Sequence, residues 1–141
     1  MAALSITAAN VLLVSGPVDA DQKAGEAFAA GAMLYLASDN TWKKAKCGGT
    51  TDEAGANGLG MALATADAAG ARISVARPGA VVQIGAGTTG VAYYVGATAG
   101  ALNPVADLVA TNKVTPAVLG IGQSPARVQL LGSNYNAGSI L

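Results

Sequence analysis

The stretch VVQIGAGTTG, residues 81–90, decides how this chain is read. It spells G-x-G-x-x-G at Gly85, Gly87 and Gly90, directly after an apolar run. In a dinucleotide-binding fold such glycines let the backbone approach a pyrophosphate seated on a helix N-terminus. That reading needs a helix immediately downstream. The continuation is VAYYVGATAG (91–100), where Val91, Tyr93, Tyr94 and Val95 favour a strand and Gly96 and Gly100 interrupt any helix. The motif also sits past the middle of the chain, and no clear second strand leads to the acidic residue downstream, Asp107. With 19 glycines in 141 residues, the spelling arises easily by chance. The expectation is therefore a glycine turn between two strands, and no cofactor.

Working outward, short strand-like pieces alternate with turn signals. MLYLA (33–37) and TWKKA (41–45) flank the polar tip SDN, a hairpin pattern. KCGGTTDEAGANG (46–58) reads as an exposed loop. LGMALAT (59–65) and ARISVAR (71–77) follow, and RPGA (77–80) sets Pro78-Gly79 where a type II turn wants them. Beyond AVVQI and VAYYV, the pieces AVLGIGQS (117–124) and ARVQLL (126–131) close the series. Two segments have helical features: DADQKAGEAFAAGAM (19–33), weakened by Gly25 and Gly31, and NPVADLVA (103–110), with an Asn cap and a first-turn Pro. Neither alternates with strands as an α/β fold requires. The predicted fold is all-β: a single-domain sandwich or barrel, jelly-roll-like, of short antiparallel strands. Residues 1–18 form an N-terminal arm or first strand, 19–131 the β domain, and 132–141 a C-terminal tail.

Composition narrows the function. Charged residues make up 11% of the chain and the net charge is zero, so little keeps copies or partners apart. Much of the surface is expected to face other protein. The balance of charge also lacks the basic block that nucleic acid demands. No apolar run is long enough for a helical membrane span. The N-terminus has no basic residue before its apolar VLLV run, unlike a signal peptide. Cys47 stands alone, so no internal disulfide forms.

Histidine is absent, which removes Ser-His-Asp and Cys-His nucleophile systems and His-based metal sites. Cys47 follows three lysines but has no base beside it, so it reads as a free thiol. Asp52 and Glu53 are adjacent in a glycine-rich loop, where solvation is a simpler role than a paired acid and base. Asp19 and Asp21 begin like a calcium loop, yet Lys23 takes the next ligand position and Ala24 the turn-glycine position. Ser124 in GQSPA lacks the second glycine of a nucleophile elbow. TWKKAK pairs Trp42 with three lysines; stacking on a nucleic acid is conceivable, but a Trp anchoring the core or an interface is the plainer reading. Tyr93 and Tyr94 fall on opposite faces of a strand, so one is expected in the core and the other outside. No catalytic residue, metal site or cofactor is predicted.

The order GEAFAAGAMLYLASDNTWKKA (25–45), GLGMALATADAAGARISVARPGAVV (58–82), GVAYYVGATAGAL (90–102) and VLGIGQSPARVQLL (118–131) resembles the small capsid decoration, or cement, proteins of tailed bacteriophages. The resemblance lies in strand order and glycine placement over residues 25–131. It implies a non-enzymatic structural protein on the outside of an icosahedral head, assembled in the host cytoplasm. The implied partners are the major capsid protein and further copies of the chain, as a homodimer or homotrimer.

The candidate contacts with shell or sister subunits are Leu4, Ile6, Val11 and Leu13 in the arm, Trp42 and Tyr94 in the domain, and Tyr135, Ile140 and Leu141 in the tail. An alternative class is a carbohydrate-binding or adhesion β-module of a fibre, which would have to use Trp42 and the tyrosines. An enzyme would need the glycine motif to bind a nucleotide after all.

Overall fold

The computed structural model describes residues 6–46, 58–85, 92–95, 99–104, 118–123 and 127–130. Among these described residues there are eleven strands: β1 (Leu12–Ser15), β2 (Val18–Lys23), β3 (Met33–Leu36), β4 (Trp42–Lys44), β5 (Leu59–Ala62), β6 (Arg72–Ala76), β7 (Val81–Gln83), β8 (Ala92–Val95), β9 (Leu102–Pro104), β10 (Val118–Gln123) and β11 (Arg127–Leu130). One 3₁₀ turn, Ala8–Asn10, precedes them. The strands form two sheets, ordered β1-β7-β11-β10-β8-β9 and β2-β6-β5-β3-β4. Every strand-to-strand pairing is antiparallel. The protein is an all-β, sandwich-like fold.

Its main core lies between the sheets. Met33, Leu59, Met61 and Ala76 from the five-stranded sheet meet Val82, Ile84, Tyr93, Leu102, Val128 and Leu130 from the six-stranded one. Alternation along each strand produces this, since neighbours point to opposite faces. The five-stranded sheet is apolar on its other face too. There Leu34, Trp42, Ala62, Ile73 and Val75 pack with Ala24, Phe28 and Ala66. All four residues of β5 are buried, as a strand covered on both faces requires.

The cover for that second face is the segment expected to be helical, and here the structure corrects the sequence. Residues 18–23 form strand β2, and the chain from Ala24 to Gly31 runs across the sheet. It is held by Gly25 N–H to Trp42 O (2.8 Å) and by reciprocal bonds between Phe28 and Ala66. Gly25 and Gly31 outweigh the alanines' helical preference, and burial of Ala24 and Phe28 rewards an irregular path. In the second helical candidate, Asn103 and Pro104 end strand β9, and residues 105–110 lie outside the described residues.

The 33–45 hairpin forms as expected. Asn40 N–H bonds Ala37 O (3.0 Å), Asn40 takes a left-handed φ of 65°, and Ala37 N–H closes on Thr41 O. This is a type I turn followed by a left-handed residue. The type II turn at 77–80 forms as well, with Ala80 N–H to Arg77 O at 3.0 Å and Gly79 at φ 102°. It carries the chain from one sheet to the other. Gly16, at the other crossing between sheets, packs so closely that a Cβ there would lie 2.5 Å from Ala80 Cα.

The glycine-rich stretch differs from the predicted turn. Strands β7 and β8 are not neighbours; β11 and β10 lie between them. The stretch therefore joins two strands that are separated in their sheet by two others. Gly85, at φ 71°, starts it, while Gly87 and Gly90 lie outside the described residues. The chain then enters strand β8, where a dinucleotide motif would need a helix.

Candidate interaction surface

The two sheets present unequal outer faces. The five-stranded sheet is roofed by residues 24–31 of its own chain. The six-stranded sheet has a side-chain row outside the core whose members are aligned by register: Leu12 on β1, Gln83 on β7 and Arg127 on β11. Their sequence neighbours Leu13, Val82 and Val128 point inward to the main core. Beside the row stand Val14, exposed, and Val81, half-buried. Leu12 and Val14 are the exposed large hydrophobic side chains among the described residues, at 60% and 39%.

Charge on this face is sparse. Arg127 is its cation among the described residues, and the Arg127 Nε is buried without a hydrogen-bond partner.

The edges of the sheets are also unequal. Strand β2 is bulged at Asp19–Gln22, where Asp21 adopts φ 57°, and it carries Asp19, Asp21 and Lys23. Strand β4 carries Lys43 and Lys44, and the roof segment bonds its outer side at Trp42 O and, through Glu26 Oε2, at Lys44 N (2.7 Å). Strand β9 ends in Pro104, which has no N–H. Charges, a bulge and proline are the ordinary means of blocking an edge. Strand β1 shares only the bulge, between Leu13 and Ser15. It has no charge, and no partner on its outer side among the described residues.

The sequence candidates fall out as follows. Ile6, Val11 and Leu13 are half-buried and pack against the main core. The outward residues of this arm are instead Leu12 and Val14, one position out of step. Trp42 is corrected outright as a contact: it is 0% exposed, so it cannot touch a partner while the fold stands. Its indole N–H donates to Gln22 Oε1 at 3.0 Å, and Arg77 lies over its ring. Tyr93 is the core tyrosine, and Tyr94 pairs through its backbone with Asn103 and Val118. Leu4, Tyr135, Ile140 and Leu141 lie outside the described residues, as do Cys47, Asp52, Glu53 and Ser124.

Of the acidic candidates, Asp19 pairs with Arg77 at 3.2 Å and Asp21 with Arg72 at 3.8 Å, both at the surface. Among the described residues no polar or charged side chain is buried, and no three His, Cys, Asp or Glu residues gather to hold a metal. No helix among them is long and apolar enough to cross a membrane. Compared with known proteins, the chain matches no family, no curated protein and no solved structure.

Proposed function

We propose that this chain is a viral structural protein that binds the outside of an icosahedral phage head and cements neighbouring major capsid subunits, without catalysis. The observation that carries the reading is the inequality of the two sheets. One is covered by its own chain, and the other, among the described residues, presents a charge-poor face with Leu12, Val14, Val81 and Arg127. A face of that kind suits burial against protein. Repeated over a closed shell, modest contacts sum to firm attachment. The fibre-module alternative loses its principal aromatic, because Trp42 is sealed in the core.

The test is to add the purified protein to shells assembled without it. The expected result is saturable co-sedimentation in fixed proportion to the shell protein, with shells that withstand more heat. Arg127→Glu and Leu12→Asp should each weaken that binding while the protein stays folded. Shells that neither bind nor gain resistance would refute the proposal.

A further inference from the structure

We infer that Glu26 stands in for a missing strand: its carboxylate closes the β4 edge of the five-stranded sheet and keeps other extended chains from adding to it. Strand β4 is the last of its sheet, paired on one side with β3. Toward β3, Thr41 O accepts from Ala37 N–H and Ala45 N–H donates to Met33 O, each at 2.8 Å. Main-chain groups alternate sides along a strand, so those of Trp42 and Lys44 face away from β3. These are the groups that an added strand would use.

The chain's own residues 24–26 reach both positions. Ala24 forms a parallel bridge with Trp42, and Gly25 N–H bonds Trp42 O at 2.8 Å. The next rung of a parallel ladder would send Lys44 N–H to the main-chain oxygen of residue 25. Instead, Lys44 N–H donates to Glu26 Oε2 at 2.7 Å. A side-chain oxygen has taken the place of a backbone carbonyl.

The replacement has a structural reason. Beyond Glu26 the chain leaves the edge and crosses the back of the sheet, where Phe28 is buried and bonds reciprocally with Ala66. A backbone that continued along β4 could not also form this roof. The Glu26 side chain reaches back, so the chain turns away while the Lys44 donor stays satisfied, and an ionised acceptor makes the stronger bond. Gly25 permits the approach, because a Cβ there would run into Thr41 Oγ1. The inference stands apart from the capsid reading, since it concerns the free protein and an edge that the roof already covers.

The test compares Glu26→Gln and Glu26→Ala with the wild type, each as the full chain in solution. Glutamine keeps an acceptor oxygen at the same reach, and alanine has none. Amide hydrogen exchange at Lys44 should rise by about tenfold or more in Glu26→Ala, and stay near the wild-type rate in Glu26→Gln. Sedimentation velocity at rising concentration should show Glu26→Ala forming larger species than the wild type does, with Glu26→Gln matching the wild type. Lys44→Pro, added to Glu26→Ala, deletes the freed donor and should remove the extra association. Should Glu26→Ala fail to fold, Glu26→Asp, whose carboxylate falls one methylene short of the edge, should show the same changes to a smaller degree. Unchanged Lys44 exchange in the alanine variant, faster exchange without added association, extra association that survives Lys44→Pro, or a glutamine variant that behaves as alanine does would each overturn the inference.

Discussion

The Arg77 guanidinium lies over the Trp42 indole, 5.2 Å from the ring centre, and also reaches Asp19 Oδ2 at 3.2 Å. Three separate pieces of chain thereby meet at one buried ring: β4 supplies the indole, β2 the carboxylate, and the end of β6 the cation. The indole N–H completes the set through Gln22. The sole tryptophan thus fastens the edge strand β2 to the roofed face of the five-stranded sheet.

Trp42→Ala should cost about 3–5 kcal/mol, the range for emptying a large aromatic site in a packed core. Arg77→Ala should cost much less, about 0.5–1 kcal/mol, because its ring contact is partly solvated and its ion pair lies near the surface. Urea unfolding of both variants checks the ranking. Near-equal losses would mean that the guanidinium, not the packing, holds the ring.

Gly60 allows β5 and β6 to lie together. A Cβ there would run into Val75 Cγ1 and come within 2.8 Å of Ala76 O, a backbone atom that cannot step aside. Gly60→Ala should therefore destabilise the protein by about 1–3 kcal/mol or more, despite the usual gain from removing a glycine. Gly70, at φ 93° with open space around it, makes the contrast: Gly70→Ala should cost only the roughly 1–2 kcal/mol of left-handed backbone strain, and Gly70→Asn less, in the same unfolding assay.

The tip of the 33–45 hairpin gives a pH signature. Thr41 donates its hydroxyl (2.6 Å) and its backbone N–H (3.1 Å) to Asp39 Oδ1, and Lys43 adds a weaker attraction. These bonds hold the Asp39 carboxyl below the ordinary aspartate range. The site's contribution is therefore present above the unfolded pKa and fades as pH falls through the folded one. A carboxyl NMR titration should find Asp39 titrating below an unfolded reference peptide, and Thr41→Ala should move it back up. An unshifted Asp39 would show that the turn does not depend on its ionised form.

Leu12 and Leu13 are neighbours with opposite duties. Leu13 packs on the main core and Leu12 faces out. Leu13→Lys should lower the melting temperature by many degrees, whereas Leu12→Lys should leave it nearly unchanged. A comparable loss at both positions would contradict the orientation of β1.

Much of the fold was legible because the strands announce themselves locally. Val, Ile and Tyr runs bounded by glycine, Pro78-Gly79 and the SDN tip marked β3 to β8 and the turns at 37–41 and 77–80, since those preferences act within a few residues. What the sequence hid was long-range. Residues 19–33 look helical by their alanines and acidic start, but the apolar back of the five-stranded sheet captures them as a strand and a roof. The order that puts β11 and β10 between β7 and β8 depends on pairings far apart in the chain. Trp42 looked like a contact because its roof was invisible. The arm's apolar stripe was visible, but its facing was not: a strand exposes alternate residues, and only pairing with β7 decides that Leu12, rather than Leu13, points outward.

The central proposal is that this protein coats a phage shell, and its most direct test is its copy number in phage particles purified from its source, by quantitative mass spectrometry. The account predicts a number equal to that of the major shell protein or a simple fraction of it. A handful of copies, or none, would contradict the account.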